Sequence, residues 1–302
     1  MIDIKVASLL AVAETRNFTK AAEKLSLTQP AISHHIHQLE EELGTKIFLR
    51  NKGNLRLTDP GEVVVAYAKR MNVLFDRLKT TLSDQERHLT RLRIGITHTA
   101  ESNRVAEVLA EYSNQTDGTI ITIITDSIKN LYTMLGNYEL DLAIVEGKAD
   151  LLSLNSLLLD TDYLVCVVSN DNPLSKQSMV TMQDLRRERM ILRSPKSGTV
   201  NLFVANLASN NESIENMNVI LEVDNIATIK DLVQKNFGIS ILPRSTCVDE
   251  ILHKKLTVLP IENMSMVRET NIVYQKDFSH PEVLQEITRL YRHMVKNQKE
   301  FL

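Results

Sequence analysis

The chain of 302 residues is predicted to consist of an all-α unit with a small hairpin, a long connecting helix and a two-lobed α/β unit. Three observations lead to this fold class. The first sixty residues hold short helical patterns with capping residues and end in two short extended runs. A helical pattern then runs to about residue 88 with no Pro or Gly after Gly61. From residue 91 onward strands and helices alternate, which is typical of a sheet covered by helices.

Two short helices open the first unit. One is predicted from Ile4 to Glu14, and the next, capped by Asn17 or Thr19, continues to Leu25. The small alanines of the second helix allow it to lie close to its neighbour. A short helix, a tight turn and a second capped helix make a helix-turn-helix.

The stretch from Thr28 to Gly44 is predicted to be that second capped helix. Thr28 suits the N-cap, Pro30 the first turn and Gly44 a left-handed C-cap. Its pattern fits an ordinary surface helix or a helix whose outer face enters a DNA groove. At about 100° per residue, the apolar stripe Ile32, Ile36, Leu39 and Leu43 lies opposite Pro30, His34 and His37, with Gln29 and Ser33 between.

A small hairpin is predicted after Gly44. The extended runs Ile47–Arg50 and Leu55–Leu57 surround the turn-forming sequence Asn-Lys-Gly-Asn. All charged residues from 46 to 56 are basic, which suits contacts with phosphates. These residues are Lys46, Arg50, Lys52 and Arg56.

The first sixty residues resemble the winged helix-turn-helix of the LysR-type transcriptional regulators. Five motifs carry the resemblance: Phe18-Thr-Lys-Ala-Ala-Glu-Lys-Leu25, Thr28-Gln-Pro-Ala-Ile-Ser33, Leu39-Glu-Glu-Glu-Leu-Gly44, Phe48-Leu-Arg50 and Leu57-Thr-Asp-Pro-Gly61. The resemblance implies DNA-binding roles for Thr28, Gln29, Pro30, Ser33, His34 and His37 in the recognition helix, and for Arg50, Lys52 and Arg56 in the wing.

Two histidines depart from the family pattern, in which Arg or Lys is common. His34 and His37 give up the permanent charge and the bidentate reach that arginine offers to guanine. We therefore expect DNA binding that tightens as the pH falls through the range in which histidines titrate.

The helix from Pro60-Gly61 to about His88 is predicted to pair with a second chain. The alternative is a helix that lies on its own domain. Two paired copies would place two recognition helices on an inverted repeat, and the resemblance adds homotetramers to homodimers. The expected dimerisation residues recur at spacings of three and four: Val64, Tyr67, Met71, Leu74 and Leu78.

The remaining two hundred residues are predicted to form a parallel sheet with helices on both faces. The expected strands are 92–97, 119–125, 140–145, 163–168, 190–193, 219–223, 238–243 and 270–274. The expected helices are 103–113, 127–137, one from Thr199, one through Ile229 and Leu232, and one from Ser279.

This second part resembles the periplasmic-binding-protein-like effector domain of the same family. The resemblance rests on the pattern and on Asp141-Leu-Ala-Ile144, Asn172-Pro-Leu174 and Gly238-Ile-Ser-Ile-Leu-Pro243. It implies a DNA-binding domain at 1–59, a dimerisation helix at 60–89 and an effector domain at 90–302. Lobe 1 would span about 90–160 and 267–302, and lobe 2 about 161–266.

A ligand in such a fold binds between the lobes, at the carboxyl ends of the strands. The start of the helix at Ser197-Gly-Thr199 suits a carboxylate or another small anion, whereas Glu146 and Asp126 disfavour a strongly anionic ligand. Each position is also an ordinary cap or loop residue. The candidates are Thr97, His98, Thr99, Thr125, Asp126, Glu146, Ser194, Ser197, Gly198, Thr199, Asp224 and Asn225.

Composition narrows the classes of function. The net charge of −3 means that any affinity for nucleic acid must come from a local surface. Cys166 and Cys247 lie in apolar or loop contexts, so we expect free thiols, no metal site and no cofactor other than the effector. No leader or membrane span is apparent, which favours the cytoplasm.

The sequence is best interpreted as a ligand-responsive DNA-binding regulator. Its expected partners are double-stranded DNA, a small effector, a second copy of itself and, as a further candidate, RNA polymerase. The alternative is a small-molecule-binding protein or an enzyme on the same two-lobed fold. Nucleophile elbow, zincin, P-loop and dinucleotide motifs do not occur, so no enzyme is expected.

Overall fold

The computed structural model of the protein describes residues 3–51, 54–101, 104–147, 153–278 and 280–299. The chain divides into two compact units, residues 1–90 with 136–139 and residues 91–135 with 140–302. Across the described ranges, each helix is too short or too polar to cross a membrane.

The first unit is a helix-turn-helix followed by a hairpin and a long helix. Of the two expected caps for the second helix, Asn17 is the one used, and it accepts the N–H groups of Thr19 and Lys20. Ser26, with a left-handed backbone, ends that helix and turns the chain towards Thr28. The elements are α1 (Ile4–Thr15), α2 (Phe18–Leu25), α3 (Gln29–Leu43), β1 (Phe48–Asn51), β2 (Asn54–Leu57) and α4 (Asp59–Glu86).

One apolar core holds these elements together. Residues of α1, α2 and α3 pack with Ile47, which precedes the hairpin, and with the start of α4. Leu43 was expected in this core but is 51% exposed, because it is the last residue of α3 and projects beyond the packed face. The fully buried members include Leu9, Val12, Ala21, Ile32 and Ile47.

The start of α4 is fitted closely against the chain before the hairpin. Thr58 caps α4 by accepting the N–H of Gly61 at 2.8 Å and donates its hydroxyl to the carbonyl of Lys46 at 2.5 Å. A Cβ on Gly61 would lie only 2.1 Å from the carbonyl oxygen of Ile47. The motif Leu57-Thr-Asp-Pro-Gly61 therefore combines a helix cap with a contact that only glycine permits.

The outer face of α4 carries an exposed apolar stripe. Val64 was expected in it but is half-buried and packs against the core of the first unit. Val63 is exposed instead, because one residue corresponds to a turn of about 100° around the helix. We define the α4 stripe as Val63, Tyr67, Met71, Leu74, Leu78 and Leu82, all at least 43% exposed.

The second unit contains nine further strands and eight further helices among the described residues. The strands are β3 (Thr90–Ile96), β4 (Thr119–Thr125), β5 (Leu142–Glu146), β6 (Leu154–Ser169), β7 (Arg189–Leu192), β8 (Asn218–Glu222), β9 (Ser240–Pro243), β10 (Leu256–Leu259) and β11 (Val267–Gln275). The helices are α5 (His98–Glu101), α6 (Val105–Gln115), α7 (Ile128–Gly136), α8 (Met182–Arg187), α9 (Gly198–Ser209), α10 (Ile226–Gln234), α11 (Val248–Leu252) and α12 (Pro281–Lys299).

The main sheet is mixed, and the expectation of a parallel sheet was wrong for its central strands. The order is β10-β6-β11-β5-β3-β4, with β9 also paired to β6. β3 and β5 are parallel, but β11 is antiparallel to both β5 and β6. The strands that cross between the lobes return in the opposite direction, so they pair antiparallel. A separate parallel pair, β7 and β8, lies in the second lobe.

Strand β6 belongs to both lobes. Its first part, from Leu154 to Tyr163, pairs with β11, and its second part, from Leu164 to Ser169, pairs with β9 and β10. Its side chains alternate between two apolar cores in the second lobe. Leu164, Cys166 and Val168 lie on one face of the sheet, and Val165 and Val167 on the other.

Two helical boundaries differ from the prediction. A short helix, α5, follows β3 directly, and the helix expected from Asn103 begins at Val105. Asn103 and Ser279, at which the final helix was expected to begin, lie outside the described residues.

Candidate nucleic-acid interface and ligand cleft

The recognition helix α3 presents the predicted polar face. Thr28 caps it by accepting the N–H of Ala31 at 3.3 Å. Pro30, His34 and His37 are exposed opposite the buried stripe, and Gln29 and Ser33 are half-buried. The short side chains at the start of the helix therefore leave it free to approach a groove.

His35 has a structural role that the sequence analysis did not identify. Its Nδ1 lies 2.8 Å from the hydroxyl of Ser8, a fully buried residue of α1. Since the Ser8 hydroxyl donates to the carbonyl of Ile4 at 2.9 Å, its oxygen accepts the Nδ1 proton of His35. This hydrogen bond fixes α3 against α1 from the side opposite the exposed histidines.

Glu40 joins the recognition helix to the hairpin. Its carboxylate accepts the N–H of Ile47 at 2.9 Å and of Phe48 at 3.4 Å, and the ammonium of Lys46 at 2.6 Å. Burial alone would raise the pKa of Glu40, but these hydrogen bonds outweigh it and hold the pKa below the ordinary value. Lys46, expected to serve the basic wing, is therefore engaged within the protein.

The wing is an antiparallel hairpin in which Leu49 pairs with Arg56, and Arg50 with Leu55. Arg56 is exposed in β2, as required for a contact with phosphate. The backbone of Arg50 lies in β1, whereas Lys52 falls outside the described residues. An open cavity of about 350 Å³ under the wing is lined by Ala13, Arg16, Phe48, Leu55, Arg56, Leu57 and Glu62.

The candidate ligand cleft begins at the carboxyl end of β3. Thr97 is buried and donates its hydroxyl to Glu146, at the end of β5, over 2.9 Å. It also accepts the N–H of Ala100 at 3.1 Å and so caps α5. Thr99 is buried and His98 is exposed, so only the histidine of this trio faces solvent.

The acids of the first lobe are already engaged. Asp126 follows Thr125 at the end of β4 and accepts the N–H of Ser127 and the side-chain amide of Asn130. These bonds, the one from Ser127 foremost, lower the pKa of Asp126. Because both carboxylates already accept hydrogen bonds, Glu146 and Asp126 oppose an anionic ligand less than their charges suggest.

In the second lobe two candidates act as helix caps. Ser197 accepts the N–H of Val200 and caps α9, and Asn225 accepts the N–H of Thr228 and caps α10. Gly198 is exposed as the first residue of α9. Asp224 is exposed, and its hydrogen bonds with Ser194 lower its pKa.

Thr199 is the second-lobe candidate with unused hydrogen-bonding capacity. It is 1% exposed, and its hydroxyl finds no partner among the described residues. Buried hydroxyls are nearly always satisfied, so this one is available to a ligand or a water molecule. It lies in the first turn of α9, where free N–H groups favour anions.

Sequence reasoning missed two arginines, of which Arg193 is buried and Arg268 is half-buried. Arg193, after β7, donates from Nη1 to the hydroxyl of Thr99 at 3.0 Å and so connects the lobes. Arg268, in β11, lies 3.4 Å from Asp162 and 4.0 Å from Glu146. Burial lowers the pKa of Arg193 despite the pull of Asp224 and Glu146. Arg193 directly follows the apolar run Met190-Ile-Leu192, and Arg268 lies within β11, a signal that could have identified them.

Comparison with known families identifies the two parts of the chain separately. The family described as "Bacterial regulatory helix-turn-helix protein, lysR family" matches residues 5–62. The family described as "LysR substrate binding domain" matches residues 85–295. Together they cover the recognition helix, the wing and nearly the whole second unit.

Individual relatives agree with this assignment. The transcriptional activator CmpR of Synechocystis is 30% identical over 267 residues, covering 88% of this chain and 86% of its own. Full-length CbnR, solved with its target DNA, has a TM-score of 0.67 at 17% identity and covers 97% and 99% of the two chains. The CcmR regulatory domain of Synechocystis, solved with 2-PG, has a TM-score of 0.59 at 23% identity and covers 68% and 98%.

The unit with the recognition helix and the wing matches one of these families, the two-lobed unit matches the other, and both occur in one chain. The chain belongs to the LysR family of DNA-binding transcriptional regulators with an effector-binding domain.

Proposed function

We propose that this regulator binds an inverted-repeat operator through two copies of α3 and the wing. The observation that carries the proposal is the capped recognition helix, whose exposed face holds Pro30, His34 and His37 beside a wing that exposes Arg56. Base contacts would come from α3, and phosphate contacts from the wing. Solved CbnR with its target DNA supports a DNA partner for this fold.

The α4 stripe supports a homodimer as the unit that binds DNA. Exposure of six apolar residues on one helix face to water is unfavourable, and this cost is removed when a second surface covers them. A second copy offers the same stripe and also brings the second recognition helix. A homotetramer and a contact with RNA polymerase follow from the family resemblance alone, as does the cytoplasm, where a regulator meets the chromosome.

The effector is proposed to be a small molecule that carries an oxyanion, such as a carboxylate. It would bind where Thr97, His98 and Thr99 meet the start of α9. Support comes from the unpartnered hydroxyl of Thr199 and from acids whose charges are engaged elsewhere. CcmR, a similar fold, was solved with 2-PG.

The proposed division is a DNA-binding domain at 1–59, a dimerisation helix at 60–89 and an effector domain at 90–302. The boundary between the compact units, at residues 90 and 91, supports it. We propose that the chain is not an enzyme. The family of transcriptional regulators to which the chain belongs supports this proposal.

The test is selection of operator DNA from a random pool with the full chain, followed by footprinting. A regulator protects two half-sites related by a two-fold axis, and deletion of residues 1–60 abolishes protection. An enzyme or a carrier would select no DNA and would lose little by that deletion. Selection of a single asymmetric site would contradict the proposal that two copies of α3 bind an inverted repeat.

A further inference from the structure

We propose that Arg193 is the oxyanion receptor of the cleft and that the same guanidinium, through Thr99, is the latch that holds the two lobes together. The inference rests on the proposed function, because it names the residue by which the effector would be recognised. It also gives the direction of regulation: the oxyanion favours the closed arrangement of the lobes.

The first observation is that Arg193 is buried with no carboxylate of the described residues in contact with its guanidinium. Its residue is 6% exposed, and Nε lies buried with no acceptor. Within the described ranges its only hydrogen bond goes from Nη1 to Thr99, and no carboxylate oxygen lies within 4.0 Å. Burial removes the favourable hydration free energy of this guanidinium, and its single hydrogen bond in the protein restores little of it.

Arg268 provides the comparison within the same cleft. Its side chain is only 8% exposed, and its Nε also lacks an acceptor. Its guanidinium, however, lies beside Asp162, which also accepts the hydroxyl of Ser245 at 2.7 Å, and near Glu146. Arg268 is therefore in direct contact with carboxylates of the chain, whereas Arg193 feels Asp224 and Glu146 only from beyond contact distance.

The second observation is that one edge of the Arg193 guanidinium makes no hydrogen bond to the described residues. Nη1 holds Thr99, and the edge formed by Nε and Nη2 makes no hydrogen bond to the described residues. Two parallel N–H groups on one edge match the two oxygens of a carboxylate or a phosphate. An oxyanion can thus bind this edge while the bond to Thr99 persists.

The third observation is a further unused donor in the same lobe. The buried hydroxyl of Thr199 has no partner, and it lies in the first turn of α9, six residues after Arg193 in the chain. A helix start adds partial positive charge. The residue after β7 and the residue at the start of α9 therefore both favour an anion at the carboxyl end of the strand.

Closure follows from the position of Thr99. This residue belongs to the first lobe, and Arg193 to the second. An anion that neutralises the guanidinium lowers the cost of keeping Arg193 buried in the closed state, but not in an open, hydrated one. By linkage, the anion then shifts the population towards closed lobes.

The experiment uses thermal unfolding of the full chain with succinate, inorganic phosphate or neutral succinamide at about 10 mM and constant ionic strength. Arg193→Met removes the guanidinium at similar volume, and Arg268→Met is the matched control. Without a probe, Arg193→Met should change Tm by less than about 2 °C or raise it, since no buried carboxylate is left unpaired. Arg268→Met should lower Tm by at least about 5 °C, because Asp162 and Glu146 lose their partner.

With the probes, succinate or phosphate should raise the Tm of the wild type, and succinamide should not. Arg193→Met should lose this response. Which of the two oxyanions acts distinguishes a carboxylate effector from a phosphorylated one. Thr99→Val removes the bond from Nη1 of Arg193 and should raise the probe concentration at half-maximal shift about fivefold.

The inference is wrong if neither oxyanion stabilises the wild type, or if Arg193→Met responds as the wild type does. An unchanged midpoint in Thr99→Val would overturn the latch. Footprinting of the wild type runs in parallel: intact operator binding with an Arg193-independent response defeats this inference alone, whereas loss of operator selection defeats the proposed function.

Discussion

At the scale of single residues, Gly61 shows how one atom limits the sequence. Gly61→Ala would place a methyl group 2.1 Å from the carbonyl oxygen of Ile47, so the start of α4 must move. We expect a loss of about 1–3 kcal/mol in the stability of the first unit, measured by urea unfolding. Gly136→Ala is the control, because a Cβ there meets nothing within 4 Å. Equal stability of the two variants would contradict the close contact.

The exposed histidines predict a pH-dependent affinity for DNA. Histidines in general gain positive charge between pH 8 and pH 6, and these two lie on the face of α3 that is proposed to meet the operator, so binding should tighten several-fold over that range at fixed salt. Glu41 lies 3.2 Å from Nε2 of His37 and will offset part of that residue's effect. The double variant His34→Gln/His37→Gln should lose the pH dependence. Fluorescence anisotropy with the selected operator measures it, and a wild type with no slope would refute it.

Residue identities predicted which side chains of α3 are exposed better than they predicted the burial of side chains in the candidate cleft. The exposure of Pro30, His34 and His37 follows from helical periodicity, which the sequence displays directly. Arg193 and Arg268 were missed, because arginine side chains are ordinarily exposed and their withdrawal from solvent depends on contacts made across the fold. Ser197 and Asn225 proved to be caps, an alternative that the sequence had left open.

At the scale of elements, Glu40 links the recognition helix to the wing. Since its pKa is lowered on folding, its stabilising effect is complete above the ordinary value of 4.5 and is lost as the pH falls through the folded value. Glu40→Gln should cost about 1.5–3 kcal/mol at pH 7, and the difference from the wild type should shrink below pH 4. Thermal unfolding at both pH values measures it.

Glu42→Gln is the control, because Glu42 makes one exposed ion pair, with Lys5. Its replacement should change stability by less than about 1 kcal/mol. A pH-independent difference between Glu40→Gln and the wild type would argue against an ionised, hydrogen-bonded Glu40.

Most elements could be predicted because their signals are local. Thr28, Pro30 and Gly44 delimit α3 within one residue of the expected bounds. The length of β6 could not be predicted, because polar residues such as Asp160 and Asp162 interrupt its apolar pattern. Those aspartates accept hydrogen bonds from Tyr291 and Ser245, which follow more than eighty residues later. A prediction from neighbouring residues in the sequence therefore cannot take such distant partners into account.

At the scale of the whole molecule, assembly should depend on the α4 stripe. Met71→Glu with Leu74→Glu places two charges in the expected interface and should weaken dimerisation at least about tenfold. Analytical ultracentrifugation measures the change. Ser83→Glu, exposed on the opposite side of α4, should leave the mass unchanged. If the double variant sediments as the wild type does, another surface joins the copies.

The shared strand β6 has a consequence for the synthesis of the chain. The elements α1 to α4, with the hairpin, have all been synthesised once residue 90 has emerged from the ribosome, whereas β5 and β6 wait for β11, which begins at Val267. Long-range pairing of this kind closes late. The nascent chain therefore has a folded DNA-binding domain while roughly two hundred residues of its effector domain remain to be synthesised. During that interval it could engage DNA with no means of responding to a ligand.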